Sequence, residues 1–245
     1  MTLSFALASG GDHNLRDLGG MPRDGGSPTL PGRVLRGCAL QGMDPAARDA
    51  LVQAGLIAVI DLRTDAERAV VPSPFSDVAG VTTHHQSLFQ DLAPAAAMMA
   101  EDPQFRLEKR YGRALSTSAP RFASVIRTIA EAPPGIVMFH CTAGKDRTGL
   151  VAALMLRLAG VTDAAIVDDY ASTATRGAGL IARLRADLLA RGANPDRVAT
   201  ILSCPHSAMR ATLDSLDTDH GGARAYLRHA GLDDAVISAA AGRLG

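Results

Sequence analysis

Two short, uninterrupted apolar runs constrain the fold of this chain more than any other feature of its sequence. Leu56 to Leu62 reads LIAVIDL and Gly135 to His140 reads GIVMFH, and both contain β-branched residues. Such runs are typical of strands that are buried on both faces, as in a parallel sheet covered by helices. A predicted helix follows each run, TDAERAV after the first and GLVAALMLRLAG after the second. The sequence therefore predicts an α/β protein.

The other segments fit around such a sheet. Strands are predicted at RVLRGCAL and VTTHHQSL, and helices from Pro45 to Gln53 and over most of Leu92 to Ala132. NLRDLGG, near the start, is predicted to be turn material. From Val161 onward the patterns are helical, and no linker divides the chain. We predict one domain over residues 1–245, with a mostly parallel central sheet flanked by helices and a helical C-terminal part.

Composition excludes several classes of function. Lys+Arg and Asp+Glu number 25 each, so no net charge draws the chain to nucleic acid or to an anionic membrane. No segment approaches the length of a membrane span, and the N-terminus lacks the basic region of a secretory signal. Three cysteines suit a reducing compartment. We expect a cytoplasmic protein, a monomer or weak homo-oligomer, without a nucleic-acid partner or stable membrane insertion; secretion without a cleaved signal stays open.

The stretch HCTAGKDRTG, His140 to Gly149, lies between the second apolar run and its helix. A strand, a tight loop and a helix in that order direct backbone N–H groups and the positive end of a helix dipole toward one point. Such a point binds an anion, and a phosphate fits there. The backbone N–H groups of the loop residues Thr142, Ala143 and Gly144 are expected to donate hydrogen bonds to the phosphate.

The side chains of this stretch indicate what happens to the phosphate. Near a helix N-terminus and an arginine, the Cys141 thiol ionises readily, and the thiolate is a nucleophile. Arg147 can grip two phosphoryl oxygens with its planar fork. Thr148 can donate its hydroxyl to the sulfur, and His140 can orient the loop. A nucleotide-binding Walker loop fits worse, because Phe139 replaces its glycine, and a zinc site lacks a convincing second ligand pair.

This Cys-x5-Arg loop resembles the signature of the cysteine-dependent protein tyrosine phosphatases. Together with NLRDLGG, VIDLRTDAER, DDY and ARAYLRHAGL, it resembles the bacterial atypical tyrosine phosphatases, the PtpB/LipA-like group, over nearly the whole chain. The resemblance implies a tyrosine-phosphatase-like fold and hydrolysis of phosphotyrosine, often also of phosphoserine, phosphothreonine and phosphoinositides. The substrate is then a phosphorylated protein or a phosphoinositide, and no metal or other cofactor is expected.

The sequence leaves two candidates for the general acid. In better-known tyrosine phosphatases the acid lies on a mobile Trp-Pro-Asp loop, and this chain has no Trp. The resemblance points to Asp146, whose alternative role is to stabilise the helix dipole or hold Arg147. Asp61, at the end of a buried strand, is the rival for the acid and a candidate to bind substrate, unless it simply pairs with Arg63. Asp168 and Asp169 are predicted to form a solvated or capping face.

Four other residues are candidates with a plain structural alternative. Lys145 is one of two lysines among the 25 cations and is expected to bind a second anionic group, unless it is a solvated lysine on a loop tip. Arg36 matches a family position near the pocket and is a candidate to bind substrate, or else an ion-pair partner. Tyr111, in an irregular segment, lines the pocket rim or packs half-buried. Arg16 is predicted to brace the fold.

We therefore expect a phosphomonoester hydrolase that forms a phosphocysteine on Cys141, with Arg147 and Asp146 as the other catalytic residues. Two alternatives stay open. The first is a phosphatase specific for phosphoinositides, in which Lys145 grips a neighbouring phosphate. The second is a phosphate-binding module without turnover.

Overall fold

The sheet has the order and direction that the apolar runs predict. The computed structural model describes Leu3, Ser4, Leu7, residues 13–89 and residues 105–245. Its strands are β1 (Arg16–Asp17), β2 (Val34–Gly37), β3 (Leu56–Asp61), β4 (Thr82–His85) and β5 (Ile136–His140). They are arranged as β1-β2-β5-β3-β4, with β1 antiparallel to β2 and every other neighbouring pair parallel. The prediction of an α/β fold with a mostly parallel sheet is confirmed.

The helices lie on both sides of this sheet and fill the C-terminal third. They are α1 (Pro45–Gln53), α2 (Asp65–Val70), α3 (Leu107–Thr117), α4 (Ala119–Glu131), α5 (Asp146–Leu158), α6 (Asp163–Ala171), α7 (Thr173–Arg176), α8 (Ala178–Ala190), α9 (Pro195–Leu202), α10 (His206–His220), α11 (Gly222–His229) and α12 (Asp234–Gly242). None of those in residues 13–89 and 105–245 combines the length and apolarity needed to cross a bilayer.

The buried strands explain why the two apolar runs are continuous. On β5, Val137 and Phe139 belong to the larger core cluster, which includes α4 and α5, whereas Ile136 and Met138 belong to the smaller cluster beneath α1. Successive strand residues point to opposite faces, so a sheet covered on both sides needs apolar residues at every position. Transfer of these side chains from water is the main stabilising contribution to the fold.

Local signals set the helix ends that were predicted. Asp44 caps α1 through the Ala46 N–H at 2.9 Å, and proline occupies the first helical position. Thr64 and Glu67 form a reciprocal capping box at the start of α2. These contacts matter beyond the helix, because α2 follows β3 and therefore begins at the carboxyl edge of the sheet.

Two segments differ from their predictions, and a third lies partly outside the described residues. NLRDLGG is not wholly a turn, since Arg16–Asp17 form the short edge strand β1. RVLRGCAL yields only Val34–Gly37, because the Cys38 N–H donates to His13 O at 2.8 Å and leaves the ladder. In the predicted helical region Leu92 to Ala132, α3 and α4 are confirmed, while residues 90–104 lie outside the described part of the chain.

Candidate active site

The loop Cys141–Lys145 lies at the centre of the carboxyl edge of the sheet. It connects β5, which has β2 on one side and β3 on the other, to α5, which begins at Asp146. Strand ends and helix N-termini meet at such an edge, where α/β proteins bind ligands. The predicted strand, loop and helix context of the phosphate loop is confirmed.

Gly144 allows the loop to fold tightly over the end of β2. Its φ is +65°, and a Cβ placed there would lie 2.6 Å from Gly37 O. Only glycine has both this conformation and this close approach without strain. Gly149, on the first turns of α5, is also confined, since a Cβ there would lie 3.1 Å from the Tyr170 ring.

Cys141 and Thr148 are both buried at the base of the loop. Cys141 is 2% exposed and Thr148 is 0% exposed. The Thr148 hydroxyl has no hydrogen-bond partner among the described residues. A buried hydroxyl without a partner is costly, so this donor is available for a group that binds or ionises in the loop.

His140 precedes Cys141 and is fully buried. Burial lowers the pKa of its imidazole from 6.5 to about 4, although the nearby Asp61 carboxylate opposes that shift. The Nδ1 atom lies 3.4 Å from Cys141 O. A neutral imidazole in this position orients the loop and is not a cation at neutral pH.

Arg147 is held by a carboxylate that the sequence analysis did not single out. Its Nη1 and Nη2 donate to Glu67 Oε2 and Oε1 at 2.6 and 2.7 Å, and Nη2 lies 3.4 Å from Thr142 Oγ1. This is a bidentate fork, the strongest geometry for such a pair. The pair raises the pKa of Arg147 despite its burial, so the guanidinium is always charged.

Glu67 is fixed by more partners than Arg147. It also accepts from the Thr64 N–H at 2.8 Å and from the Thr142 hydroxyl. Burial alone would raise the pKa of Glu67, but the Arg147 and Thr142 contacts lower it from 4.5 to about 2. The carboxylate that caps α2 is therefore also the one that positions Arg147. Its local signal was the capping box, which gave no indication of a partner 80 residues away.

Asp146 contacts two different groups at the start of α5. The Tyr111 hydroxyl donates to its Oδ1 at 2.6 Å, and Lys145 Nζ lies 3.3 Å from the same atom. Its side chain is 29% exposed. The expectation that Tyr111 lies in an irregular segment at the pocket rim is wrong. It belongs to α3, is fully buried and shares a 2.8 Å hydrogen bond with Tyr170 Oη.

Lys145 is not on a solvated loop tip, so that alternative is wrong. Its residue is 2% exposed, and Nζ donates to Ile201 O and, at 3.0 Å, to Ser203 O, at the C-terminal end of α9. Carbonyls at a helix C-terminus attract a cation. Two of the three donors of the ammonium are engaged by these carbonyls, and the Asp146 carboxylate lies 3.3 Å away.

The rear of the loop is held by a buried cluster of charged and polar residues. Arg36 is 0% exposed, and its Nη1 pairs with Asp169 while its Nη2 donates to Gly144 O at 2.8 Å. Arg16 binds the other carboxylate oxygen of Asp169 at 2.6 Å. The Asn14 amide donates to Gly144 O at 3.1 Å.

This cluster corrects two predictions. Arg36 lies behind the loop, sealed from solvent, so it is an ion-pair partner and not a residue that touches substrate. Asp169 is buried and does not form a solvated face, because its two arginines satisfy both oxygens. Asp168, with its side chain 74% exposed, does lie on a solvated face. Arg16 braces the fold as predicted.

Asp61, the rival acid, is engaged by its neighbour. Both of its oxygens accept from the Arg63 side chain, at 2.6 to 3.2 Å, and Oδ1 also accepts from the Arg63 N–H at 3.0 Å. Although burial alone would raise the pKa of Asp61, the hydrogen bonds with Arg63 lower it. A carboxylate held in its charged form is a poor proton donor, so this geometry argues against Asp61 as the acid.

Comparisons with known proteins identify relatives over most of the chain. Residues 7–244 match the sequence model of the tyrosine phosphatase family. A tyrosine-protein phosphatase of Nostoc commune is 36% identical over 220 residues, which cover 86% of this chain and 74% of the relative. The triple specificity protein phosphatase PtpB of Mycobacterium tuberculosis is 28% identical over 274 residues, covering 93% of this chain and 95% of the relative. The chain thus belongs to the tyrosine phosphatase family.

Proposed function

We propose that this protein hydrolyses phosphotyrosine esters by way of a phosphocysteine on Cys141. The observation that carries the proposal is the loop itself: a buried cysteine at the end of β5, glycine-dependent packing, and an arginine six residues later at the N-terminus of α5. That combination holds a phosphoryl group in front of a sulfur nucleophile. The family match over residues 7–244 also supports one catalytic domain.

The reaction has two steps. The Cys141 thiolate attacks phosphorus in line, an S–P bond forms, and the P–O bond to the leaving phenol breaks as Asp146 gives its proton to that oxygen. Water then attacks the phosphocysteine, Asp146 takes a proton from the water, and phosphate and thiolate are released. Arg147 and the amides of Thr142, Ala143 and Gly144 neutralise charge on the transferring oxygens. Thr148 donates its unpartnered hydroxyl to the sulfur.

The test is phosphate release from a phosphotyrosine peptide in the presence of a chelator. We expect turnover by the wild type, no turnover by Cys141→Ser, and a loss of about 10²- to 10⁴-fold in Asp146→Asn, the usual contribution of a general acid. If Cys141→Ser retains activity, the phosphocysteine mechanism is wrong. If the wild type binds the peptide and releases no phosphate from any ester, the protein is a phosphate-binding module.

Phosphotyrosine is proposed in preference to a phosphoinositide because of Lys145. Its side chain is 3% exposed, and its ammonium donates to the carbonyls of Ile201 and Ser203 and lies 3.3 Å from Asp146 Oδ1, so its charge is already matched within the protein. We expect Lys145→Ala to lower turnover of a phosphotyrosine peptide and of a phosphoinositide by a similar factor, through loss of loop support. A selective loss of phosphoinositide turnover would favour the lipid substrate, and a panel that includes phosphoserine and phosphothreonine peptides would define the breadth of specificity.

A further inference from the structure

The rear of the phosphate loop holds an arrangement that the proposed chemistry does not use. Within the described residues, the cluster behind Gly144 contains two buried arginines and a single carboxylate: Arg16, Arg36 and Asp169. Two positive charges and one negative charge leave one unit of positive charge in a site that is at most 6% exposed. Buried charge without a counter-charge is costly, and an anion nearby lowers that cost.

The second feature of the cluster is that it fixes carbonyls. Gly144 O accepts from Arg36 Nη2 and from Asn14 Nδ2, and Ala143 O lies 3.4 Å from the same Asn14 nitrogen. In a trans peptide the C=O and the following N–H point in opposite directions. Carbonyls that are held toward the rear therefore direct the N–H groups of Gly144 and Lys145 toward the front. Neither N–H donates to a backbone carbonyl in the part of the chain that is described.

We infer that Arg36, clamped by Asp169, is a positioning residue that sets the affinity of the loop for phosphate. The hydrogen bond from its guanidinium to Gly144 O orients this peptide so that the loop N–H groups face the anion. Its positive charge also attracts that anion from the rear of the loop. Its Nη2 would lie 3.8 Å from a Cβ on Gly149, so the guanidinium lies against both the loop and the first turns of α5. The inference rests on the proposed function only in that the loop binds phosphate.

The fork and the charge can be separated by substitution. Arg36→Met removes both, and Arg36→Lys keeps the charge without the fork. Asn14→Gly leaves Arg36 in place and removes the second donor to Gly144 O, together with the contacts of Asn14 with Ala143 O and Arg16. Glycine suits position 14 because Asn14 has a φ of +50°. The matched control is Arg243→Met, since Arg243 also binds carbonyls, those of Ile129, Ala132 and Pro133, but at the end of α4.

The measurement is the dissociation constant of inorganic phosphate by calorimetry, with kcat and KM for a phosphotyrosine peptide alongside. We expect phosphate binding to weaken about tenfold or more in Arg36→Met, less in Arg36→Lys, and about threefold in Asn14→Gly, since a charged guanidinium makes a stronger hydrogen bond to Gly144 O than a neutral amide does. KM should rise as kcat falls. The deficit of Arg36→Met should persist in about 0.5 M salt, because a buried charge is poorly screened.

Phosphate binding as tight in a folded Arg36→Met as in Arg243→Met would overturn the inference. If Arg36→Met does not fold, Arg36→Lys is the deciding variant. Phosphate binding by Arg36→Lys within a factor of two of the wild type would also overturn the inference. Failure of the proposed function looks different, because then the wild type releases no phosphate from any ester whatever the Arg36 variants bind.

Discussion

Two arginine–carboxylate systems hold the phosphate loop, and they differ in burial more than in chemistry. At the front, the side chains of Arg147 and Glu67 are 13% and 31% exposed; at the rear, those of Arg36 and Asp169 are 0% and 2% exposed. Water can replace a partner at the front, whereas nothing replaces a partner in the core. We therefore expect loss of the front pair to affect turnover more than stability, and loss of the rear pair to affect stability as well as phosphate binding.

Loss of the rear ion pair should lower the free energy of unfolding more than any other change. Asp169→Asn leaves Arg16 and Arg36 buried without a carboxylate, so we expect the free energy of unfolding to fall by about 3–5 kcal/mol. Urea titration measures this loss. Asp217→Asn is the control, because Asp217 pairs with Arg157 at a site where the side chains are 50% and 23% exposed, and should cost less than about 1 kcal/mol. Equal losses in the two variants would contradict the assignment of the rear cluster to the core.

The pH dependence of stability extends the comparison. As the pH falls, the first group to lower the stability is His140 and not a carboxylate of either ion pair. As the pH falls from 6.5 to about 4, the unfolded chain protonates His140 and the native chain does not, so stability decreases by about 2–3 kcal/mol. Glu67, with its pKa lowered to about 2, adds its own loss only as the pH falls below about 4.5.

Unfolding measured over this pH range in the wild type, His140→Asn and His206→Asn separates these contributions. The first variant should flatten the dependence between pH 6.5 and 4. The second alters an exposed histidine and should leave it unchanged. A wild-type stability that is flat over that interval would show that His140 is not buried in its neutral form.

Disruption of the front ion pair should lower catalytic activity and leave the fold intact. Glu67→Gln keeps the shape of the side chain but weakens the bidentate contact with Arg147, so we expect kcat/KM to fall about 10- to 100-fold. Glu131→Gln, at an exposed pair with Arg127, is the control and should have wild-type kinetics. Steady-state assays of both variants measure the effect. A kcat/KM of Glu67→Gln within twofold of the wild type would show that Glu67 does not position Arg147 for catalysis.

Tyr111 gives the smallest expected effect. Tyr111→Phe removes the hydrogen bond to Asp146, and we expect kcat to fall about three- to tenfold because the acid is less well oriented. Tyr226→Phe is matched to it, since that buried hydroxyl donates to Leu115 O at 2.8 Å, on the same helix α3, and not to Asp146. Both variants should lose about 1 kcal/mol of stability. If both lose kcat equally, the effect is structural and not catalytic.

Local sequence was sufficient for the loop and for most elements. The buried strands, the α1 and α2 caps and the Cys141 to Arg147 spacing depend on residues that are close in the chain. Partner choice is not local: Glu67, Asn14 and Asp169 meet their partners over 80, 130 and 133 residues. Each has a plausible local role as a cap, a turn residue or a solvated acid, and only the three-dimensional fold reveals the longer contact.

Tyr111 and Lys145 were misjudged for a related reason. The sequence around each is polar, which predicts exposure, yet both side chains are buried because an aspartate or a helix end supplies the polar partner. Polar residues in a core are placed by their partners, and a partner cannot be read from composition.

The anchoring of Lys145 by α9 has a consequence for how the protein is made. The loop is a local segment, but its supports come from Asn14, Arg36, Glu67 and finally Ser203, so closing it spans sequence distances from 58 to 130 residues. Such long closures are formed late and slowly, because chain entropy is lost before the contacts are gained. We expect a nascent chain that has not yet passed Ser203 to hold Cys141 in an incompletely supported loop, so enzymatic activity should appear only after Ser203 has been synthesised.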